Sequence, residues 1–358
     1  MGSIDREKKM PFESLYVPII KTTDAELRGY EELSGSVKDR VFPVFELTKS
    51  RNTSRVPEGD IARRMSRIEE VVGERPFILD ITTHESLINS QIESLLVEDD
   101  GFSNWYNFLC QYDHMQICPV VHAYEDEDLR YVVDSARNLQ RKFGQVAFRT
   151  ASSDANSVRY LQAIYDGIRN TENVFLVLDC GYIGHTEAEL RDGKNEAVAR
   201  LNEVAALAPP GGVTVASSSF PSSVVQHPHG EDHYGELPME EVALHRAVAA
   251  ESAVPLTYGD FASIHPFRYQ VRGGTWVPRI DVSLDETYLY TRYRREDGGY
   301  IRAAKAMLET DWYESVDCWG DNQIQQAAAG EPNGLSPSFW IAVRLNTHIT
   351  RKSSGAPP

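Results

Sequence analysis

The feature that most constrains the fold is an order that repeats along the chain: a short β-rich apolar run, then polar residues, then a stretch with helical spacing. Eight segments open these repeats; they are YVPIIK (16–21), VFPVFEL (41–47), PFILDIT (76–82), QICPVVHA (116–123), QVAFRT (145–150), NVFLVLD (173–179), GVTVASSS (212–219) and PLTYGDFA (255–262). Continuous apolar runs are typical of strands covered on both faces, as in parallel sheets. Eight β-then-α units predict a (β/α)8 barrel of the TIM type.

An open, doubly wound sheet is the competing arrangement for alternating strands and helices. Its usual phosphate-binding sequence, GxGxxG after the first strand, is absent, and the number of units favours the barrel. The chain has 358 residues, of which 41% are hydrophobic, and this suffices for a barrel-sized core. The predicted organisation is one α/β barrel domain over residues 1–350.

The last part of the chain departs from this repeat. Residues 268–283 and 286–296 alternate in polarity like paired strands. We therefore expect an inserted β-ribbon over about 267–296, after the eighth barrel strand. The segment SFWIAVRLNTHIT is expected to pack back on the barrel, and residues 351–358 are expected to form a flexible tail.

Charged or polar residues stand at the carboxyl ends of the predicted strands, where barrel enzymes place their chemistry. The series is Lys21, Glu46, Asp80, His122, Arg149, Asp179, Ser217, Ser219, Tyr258 and Asp260. A single such residue is ordinarily the first solvated position of a loop, but a series at one relative place predicts a shared site at the barrel mouth. The structural alternative is a ring of ion pairs without chemistry, since the acidic and basic members could neutralise each other.

Four members of the series are candidate catalytic residues. His122 titrates near neutrality and suits acid–base catalysis. Glu46, Asp80 and Asp179 could orient or assist it, or could coordinate a divalent cation through their oxygens. Sequence alone leaves the acid–base and the metal alternatives open, so the cofactor is undetermined.

The other members of the series are candidate ligand-binding residues. They are Lys21, Arg149, Ser217, Ser219, Tyr258 and Asp260. The two cations suit phosphate or carboxylate, which the guanidinium of an arginine can bind through two parallel hydrogen bonds. No GxSxG motif surrounds the serines, which indicates hydrogen bonding and not nucleophilic attack.

A histidine-rich segment, QHPHGEDHY (226–234), follows the seventh predicted strand. Its spacing suggests a metal site at first sight. The segment is rich in turn-forming residues and is not a helix, so its histidines are not held at fixed separations as in HExxH. We interpret it as a solvent loop or a lid, with a ligand site as the alternative.

Composition limits the class of partner. The formal net charge of −17 argues against duplex nucleic acid and against an anionic membrane surface. Four cysteines without a CxxC pair indicate neither a zinc site nor a disulfide framework. No secretory signal or bilayer-spanning run is present in the sequence. These observations predict a cytoplasmic protein, and they leave open a small anionic ligand bound in a local basic pocket.

Several short motifs together resemble those of the beta protein family, which is named after a bacteriophage protein. They are YVPIIK, VFPVFEL, FILDIT, YGDFASIHP and PSFWIAVRLNTHI, and they extend over nearly the whole chain. The resemblance implies a barrel-like α/β fold, occurrence in phages and bacteria, and an association with mobile or defence genes, but no established reaction. One stretch differs: LPMEEVALHR supplies Glu240 and Glu241 where the resemblance leads us to expect Arg-Glu-Trp.

Two functions are compatible with these features. The first is a phage- or defence-associated barrel that binds, and as an enzyme would hydrolyse, a phosphate- or nucleotide-like ligand at its mouth. The second is a non-catalytic component that binds a protein partner through residues 267–296, where aromatic residues and arginines alternate. A superfold alone does not decide between them.

Overall fold

The computed structural model of the protein describes residues 16–125, 128–267 and 276–355. Eight parallel strands form one sheet in the order β4-β3-β2-β1-β9-β7-β6-β5. Their bounds are β1 (Val17–Lys21), β2 (Val44–Leu47), β3 (Phe77–Ile81), β4 (Ile117–Pro119), β5 (Val146–Ala151), β6 (Val174–Tyr182), β7 (Gly212–Ser218) and β9 (Thr257–Asp260). A parallel bridge between Val120 and Ala147 joins the two edges of this sheet. The predicted barrel is confirmed.

Side chains on the barrel strands alternate between two cores, as the period of two in a strand requires. One core fills the barrel; its members are Val17, Ile19, Phe42, Val44, Ile78, Cys118, Val120, Ala147, Phe175, Val177, Ala216 and Phe261. The larger core lies between the outside of the barrel and the surrounding helices, and it includes Ile20, Phe45 and Leu79. A strand-end residue therefore reaches the mouth only if its position continues the inward-facing series.

Helices follow the strands and cover the barrel. In the described residues they are α1 (Asp24–Glu31), α2 (Gly35–Lys38), α3 (Ile61–Val72), α4 (Ser90–Leu95), α5 (Asp99–Cys110), α6 (Leu129–Phe143), α7 (Ser157–Gly167), α8 (Glu187–Leu207), α9 (Glu240–Ala249), α10 (Gly299–Leu308), α11 (Trp319–Ala328) and α12 (Pro337–Ser354). None of these helices is long and apolar enough to cross a membrane. Helix α8 begins at a capping box, in which Thr186 and Glu189 satisfy each other's backbone N–H groups.

A small antiparallel sheet stands beside the barrel and contains the predicted ribbon. Strands β10 (Arg279–Ser283) and β11 (Thr287–Arg292) form the ribbon, and β8 (Tyr234–Pro238) pairs with β11 as a third strand. The third strand comes from the segment after β7, which we had interpreted as a loop or lid up to residue 234. Residues 268–275 of the expected ribbon lie outside the described residues.

Close packing explains why Gly235 occupies β8. A Cβ atom at this position would lie 2.4 Å from the ring of Tyr290, which is paired opposite it on β11. We expect Gly235→Ala to lower the free energy of unfolding by about 1–3 kcal/mol, because an added methyl overfills the contact. Gly35→Ala is the matched control, since a Cβ there meets only a flexible Arg75 side chain at 3.6 Å. Equal urea midpoints for both variants would contradict this expectation.

Helix α12 connects the two sheets. It packs on α1, where Asn346 Nδ2 donates to the carbonyl of Gly29 at 3.2 Å, and on β10 through a third apolar core. The C-terminal segment thus packs on the barrel's helices, as predicted. The helix continues to Ser354, so the first residues assigned to the flexible tail are helical, and 356–358 lie outside the described residues.

Candidate ligand site at the barrel mouth

Six residues of the predicted series continue the inward-facing positions; His122 is one of them, and the other five meet in one ion-paired cluster at the mouth. They are Lys21, Glu46, Asp80, Arg149 and Asp179. In the barrel register, Lys21 lies beside Glu46, and Glu46 lies beside Asp80. Side chains at one level of the barrel are thereby brought together from separate repeats of the sequence.

Arg149 is the centre of this group. Its Nη1 donates to Glu46 Oε1 at 2.6 Å and to Asp80 Oδ2 at 3.0 Å. Its Nε and Nη2 both donate to Asp179 Oδ2, at 3.0 and 2.7 Å. One guanidinium therefore holds three carboxylates from three strands in fixed positions.

Each carboxylate is also held through its second oxygen. Ile81 N donates to Asp80 Oδ1 at 2.8 Å, and Gly181 N donates to Asp179 Oδ1 at 2.7 Å. The second of these bonds depends on a bulge in β6, where Gly181 has a φ of 62° that favours glycine. Lys21 Nζ lies 3.1 Å from Glu46 Oε2. Contacts within the protein thus position all three carboxylates of the cluster.

Electrostatics within the cluster favour the charged forms of Glu46 and Arg149. Burial alone would raise the pKa of Glu46, but the attraction of Lys21 and Arg149 outweighs it and lowers that pKa to about 2. Burial would lower the pKa of Arg149, and the three carboxylates instead raise it well above its ordinary value. Two cations and three carboxylates leave the cluster with a formal charge of −1.

A cavity of about 270 Å³ opens over this cluster, and His122 forms part of its wall. The imidazole packs against Trp105 and Phe102, with ring centroids 5.5 and 6.0 Å apart. Its Nε2 is buried and has no hydrogen-bond partner among the described residues. Burial lowers the pKa of His122 despite the opposing effect of Asp80, so the ring is neutral at physiological pH. Tyr124, Thr150 and other lining residues were missed by the sequence argument.

The other four members of the series lie on the opposite face of their strands. They are Ser217, Ser219, Tyr258 and Asp260, and each is at most 2% exposed. Asp260 accepts hydrogen bonds from the hydroxyl groups of Tyr16 and Tyr258, and from Ala262 N at 2.7 Å. His348 Nε2 lies 2.8 Å from the same carboxylate. These positions face the helices and not the cavity, so the expectation that they share the mouth is wrong.

Ser219 belongs to a second buried group around Glu241. Its Oγ and the hydroxyl of Tyr288 both donate to the Glu241 carboxylate, and Ser219 N donates to it at 2.9 Å. Glu241 is 1% exposed. The acidic position noted in LPMEEVALHR thus joins the small sheet to the barrel.

The connectivity of Ser283, His348 and Asp260 resembles that of a catalytic triad. Ser283 Oγ lies 2.8 Å from His348 Nδ1, and His348 Nε2 lies 2.8 Å from Asp260 Oδ2. None of the three is more than 1% exposed, so no substrate can reach the serine in this structure. We interpret the arrangement as a structural connection between α12, the ribbon and the barrel.

The metal alternative finds no support in the geometry of the mouth. Across residues 16–125, 128–267 and 276–355, no group of three or more His, Cys, Asp or Glu side chains could hold a metal ion. The three mouth carboxylates converge on Arg149 instead. In the histidine-rich segment, His233 stacks on Tyr293 with ring centroids 5.1 Å apart, while His227 packs against His229 with centroids 5.5 Å apart.

The fold and the mouth define the class of protein: a (β/α)8 barrel whose strands present an arginine–carboxylate cluster. A family model described as Beta protein matches residues 16–354, and the chain belongs to the beta protein family. It is 31% identical over 348 residues to "Protein beta" of Enterobacteria phage P4, covering 96% of this chain and 94% of that protein. The predicted family and its link to phages are confirmed.

One solved structure has a distant likeness to this chain. It is the cellulose synthase subunit Z of Clostridioides difficile, with a TM-score of 0.45 and 10% identity, covering 74% of this chain and 97% of that one. The likeness is too distant to bear on function.

Proposed function

We propose that the protein binds a small, uncharged, hydroxyl-bearing ligand at the barrel mouth, with His122 as the acid–base residue. The observation that carries the proposal is the cavity over the Arg149 cluster, with His122 in its wall; the Nε2 of this ring is buried and has no hydrogen-bond partner among the described residues. Buried polar atoms of proteins are nearly always hydrogen-bonded, so an exception beside a cavity points to a missing partner. From the family resemblance we also propose that the protein has a defence-associated role.

Charge argues for an uncharged ligand over the anionic one that the sequence suggested. That expectation treated Lys21 and Arg149 as free cations. Arg149 instead makes four hydrogen bonds to carboxylates, and Lys21 is paired with Glu46. A phosphate group at the mouth would meet three carboxylates and a formal charge of −1. Ligand hydroxyl groups, by contrast, can donate to those carboxylates, whose oxygens each have more than one acceptor site.

The cavity and its wall also suit a hydrolytic reaction on such a ligand. Its volume is just below the roughly 300–1,000 Å³ of drug-sized pockets, which suits one sugar-sized unit. On a ligand with a glycosidic bond, a neutral His122 can accept a proton from the attacking water; the water oxygen bonds to the anomeric carbon, the bond from that carbon to the leaving group breaks, and the protonated His122 returns the proton to the leaving group. Glu46, with its lowered pKa, stays ionised and can stabilise positive charge that develops nearby.

Binding of defined probes tests the proposal. We expect glucose, N-acetylglucosamine or adenosine to bind in isothermal titration calorimetry, and inorganic phosphate and AMP not to bind. Asp80→Asn should weaken that binding by about 10- to 100-fold, because a hydrogen bond to a charged acceptor is worth about 1.5–3 kcal/mol.

Two controls make the result specific. Ser217→Ala, outside the mouth, should leave probe binding unchanged, and urea unfolding should show that Asp80→Asn is folded. His122→Phe should abolish any hydrolysis of a bound probe while the variant remains folded. Binding of AMP or phosphate alone, or of none of the probes, would contradict the proposal.

The alternative is a protein-binding component that acts through residues 267–296. Fewer of the described side chains in this segment are exposed than the sequence suggested. Tyr290 is 1% exposed, and its hydroxyl contacts the backbone of Glu231. Arg294 and Arg295 are exposed, and Trp276 is 42% exposed. In the part of 267–296 that the structure describes, these three side chains are exposed aromatic or arginine groups that a partner could contact, so triple substitution to alanine tests this alternative.

A further inference from the structure

Beside the mouth, aromatic and imidazole rings follow one another across three loops. We name this set the rim stripe; its members are Phe267, His265, Tyr182, His185, His227 and His229. They come from the segments at the ends of β9, β6 and β7. In a barrel these ends open on the same face as the mouth.

One half of the rim stripe begins at an exposed phenylalanine. Phe267 is 55% exposed, and its ring centroid lies 6.0 Å from that of His265. The next centroid, that of Tyr182, lies 4.7 Å from His265. Tyr182 and His265 are half-buried, so each ring leaves part of its surface to solvent.

The other half consists of histidines. The centroid of His185 lies 6.2 Å from that of Tyr182 and 3.7 Å from that of His227, and His229 follows at 5.5 Å. His229 N donates to His227 Nδ1 at 3.0 Å, so in the neutral ring the proton is on Nε2. That Nε2 and His185 Nδ1 are both buried without a hydrogen-bond partner in the described part of the chain.

The rim stripe lies on the same face of the barrel as the mouth. Tyr182 ends the same strand that carries Asp179, three residues earlier. Phe261, four residues before His265, places its ring 5.5 Å from Lys21 Nζ and 5.8 Å from Arg149 Cζ. The rim stripe and the mouth therefore open on the same face of the barrel, and a ligand longer than the cavity would extend along that face.

We propose that the rim stripe is a stacking subsite for a linear, uncharged oligosaccharide whose end unit occupies the mouth. This inference rests on the proposed function and adds the ligand class. Sugar rings present apolar C–H faces that pack on aromatic rings such as those of Tyr182 and Phe267.

Charge separates this ligand from single-stranded nucleic acid, which also stacks on aromatic rings. Proteins that bind such strands add a positively charged groove that follows the phosphates. Here the molecule carries −17 and the mouth −1, and burial together with the neighbouring histidines lowers the pKa of His227 to about 4. An acidic protein repels a polyphosphate chain, and this repulsion does not act on an uncharged one.

The test compares chains with single units. Cellohexaose, maltohexaose and chitohexaose are titrated beside glucose and N-acetylglucosamine, and we expect at least one hexamer to bind about 10-fold more tightly than its monomer. Tyr182→Ala and Phe267→Ala should each weaken hexamer binding about 5- to 10-fold and leave monomer binding unchanged. Trp312→Ala, which removes an aromatic residue of similar exposure (57%) outside the stripe, is the control.

The outcomes separate this inference from the proposed function. If monomer and hexamer bind with equal affinity, and the stripe variants change neither affinity, the stacking subsite is contradicted and the proposed site at the mouth is not. Loss of all monomer binding in Asp80→Asn with no effect of Tyr182→Ala on the hexamers likewise overturns the stripe alone. Binding of no sugar at all overturns both. Stripe-dependent binding of the oligonucleotide dT6, or of Zn²⁺, in place of every hexamer overturns the oligosaccharide.

Discussion

Replacing Arg149 by methionine is expected to lower the free energy of unfolding at pH 7 by about 3–5 kcal/mol, because it leaves three buried carboxylates without their common partner. Total stabilities are about 5–15 kcal/mol, so the loss is a large fraction of what holds the fold. Methionine retains length and apolar contact with Phe261, and the effect is therefore electrostatic. Urea unfolding followed by circular dichroism measures it.

The pH dependence of this loss identifies its cause. In the wild type, the pKa of Glu46 is depressed to about 2, so its contribution is present above the unfolded-state pKa and disappears as pH falls from about 4.5 to 2. In Arg149→Met, the buried carboxylates lack the arginine, so their pKa values rise. Their protonation at lower pH then restores part of the unfolding free energy that the variant has lost. The difference in unfolding free energy between wild type and variant should therefore shrink as pH falls from 7 to 4.

A surface arginine provides the control for this prediction. Arg67 pairs with Glu31 and Glu70, its side chain is 38% exposed, and Arg67→Met should cost no more than about 1 kcal/mol. Similar losses for both variants, or a loss in Arg149→Met that does not change with pH, would show that the mouth carboxylates are not held by Arg149 in solution.

The barrel was predictable from sequence because its signal is repeated. Each β-then-α unit states the same preference, and parallel strands buried on both faces leave continuous apolar runs. The first and last residues of helices and strands were harder to predict from the sequence. Helix α8 begins at Glu187, ahead of the apolar spacing, because the capping box of Thr186 and Glu189 determines its start.

The candidate site was predicted only in part, because the prediction used the position of each residue at a strand end and not the face of the strand on which its side chain lies. Counting by two from Val17 and Ile19 gives Lys21, and counting from Phe175 and Val177 gives Asp179, so both point inward. The same counting puts Asp260 level with Tyr258 in the outer layer. Period two was thus available in the sequence and would have divided the series correctly.

Contacts between residues that are far apart in the sequence could not be predicted by counting along a strand. Nothing in the run NTHIT identifies His348 as the partner of Asp260, 88 positions earlier. The third strand of the small sheet was hidden similarly, since YGELP follows a turn-rich histidine segment and pairs with β11, far along the chain. Long-range pairings of this kind depend on how the barrel brings segments together, not on local preference.

The buried network around Asp260 gives the last prediction. Asp260→Ala removes the acceptor of four hydrogen bonds, from Tyr16, Tyr258, Ala262 and His348, at a site with no access to water. Stranded buried donors cost about 1–3 kcal/mol each, and the sum is not additive, so we expect a loss of about 4 kcal/mol or more in the free energy of unfolding.

Asp260→Asn distinguishes a structural role from the ligand-binding role that the sequence suggested. It keeps the shape and some acceptor capacity, so a loss of about 1–3 kcal/mol is expected, and the variant remains folded for titration. Because Asp260 faces His348 and α12, probe affinity at the mouth should equal that of the wild type. A folded Asp260→Asn that loses probe binding would place this carboxylate back in the ligand site. Ser217→Ala, its register neighbour on β7, provides the reference for both measurements.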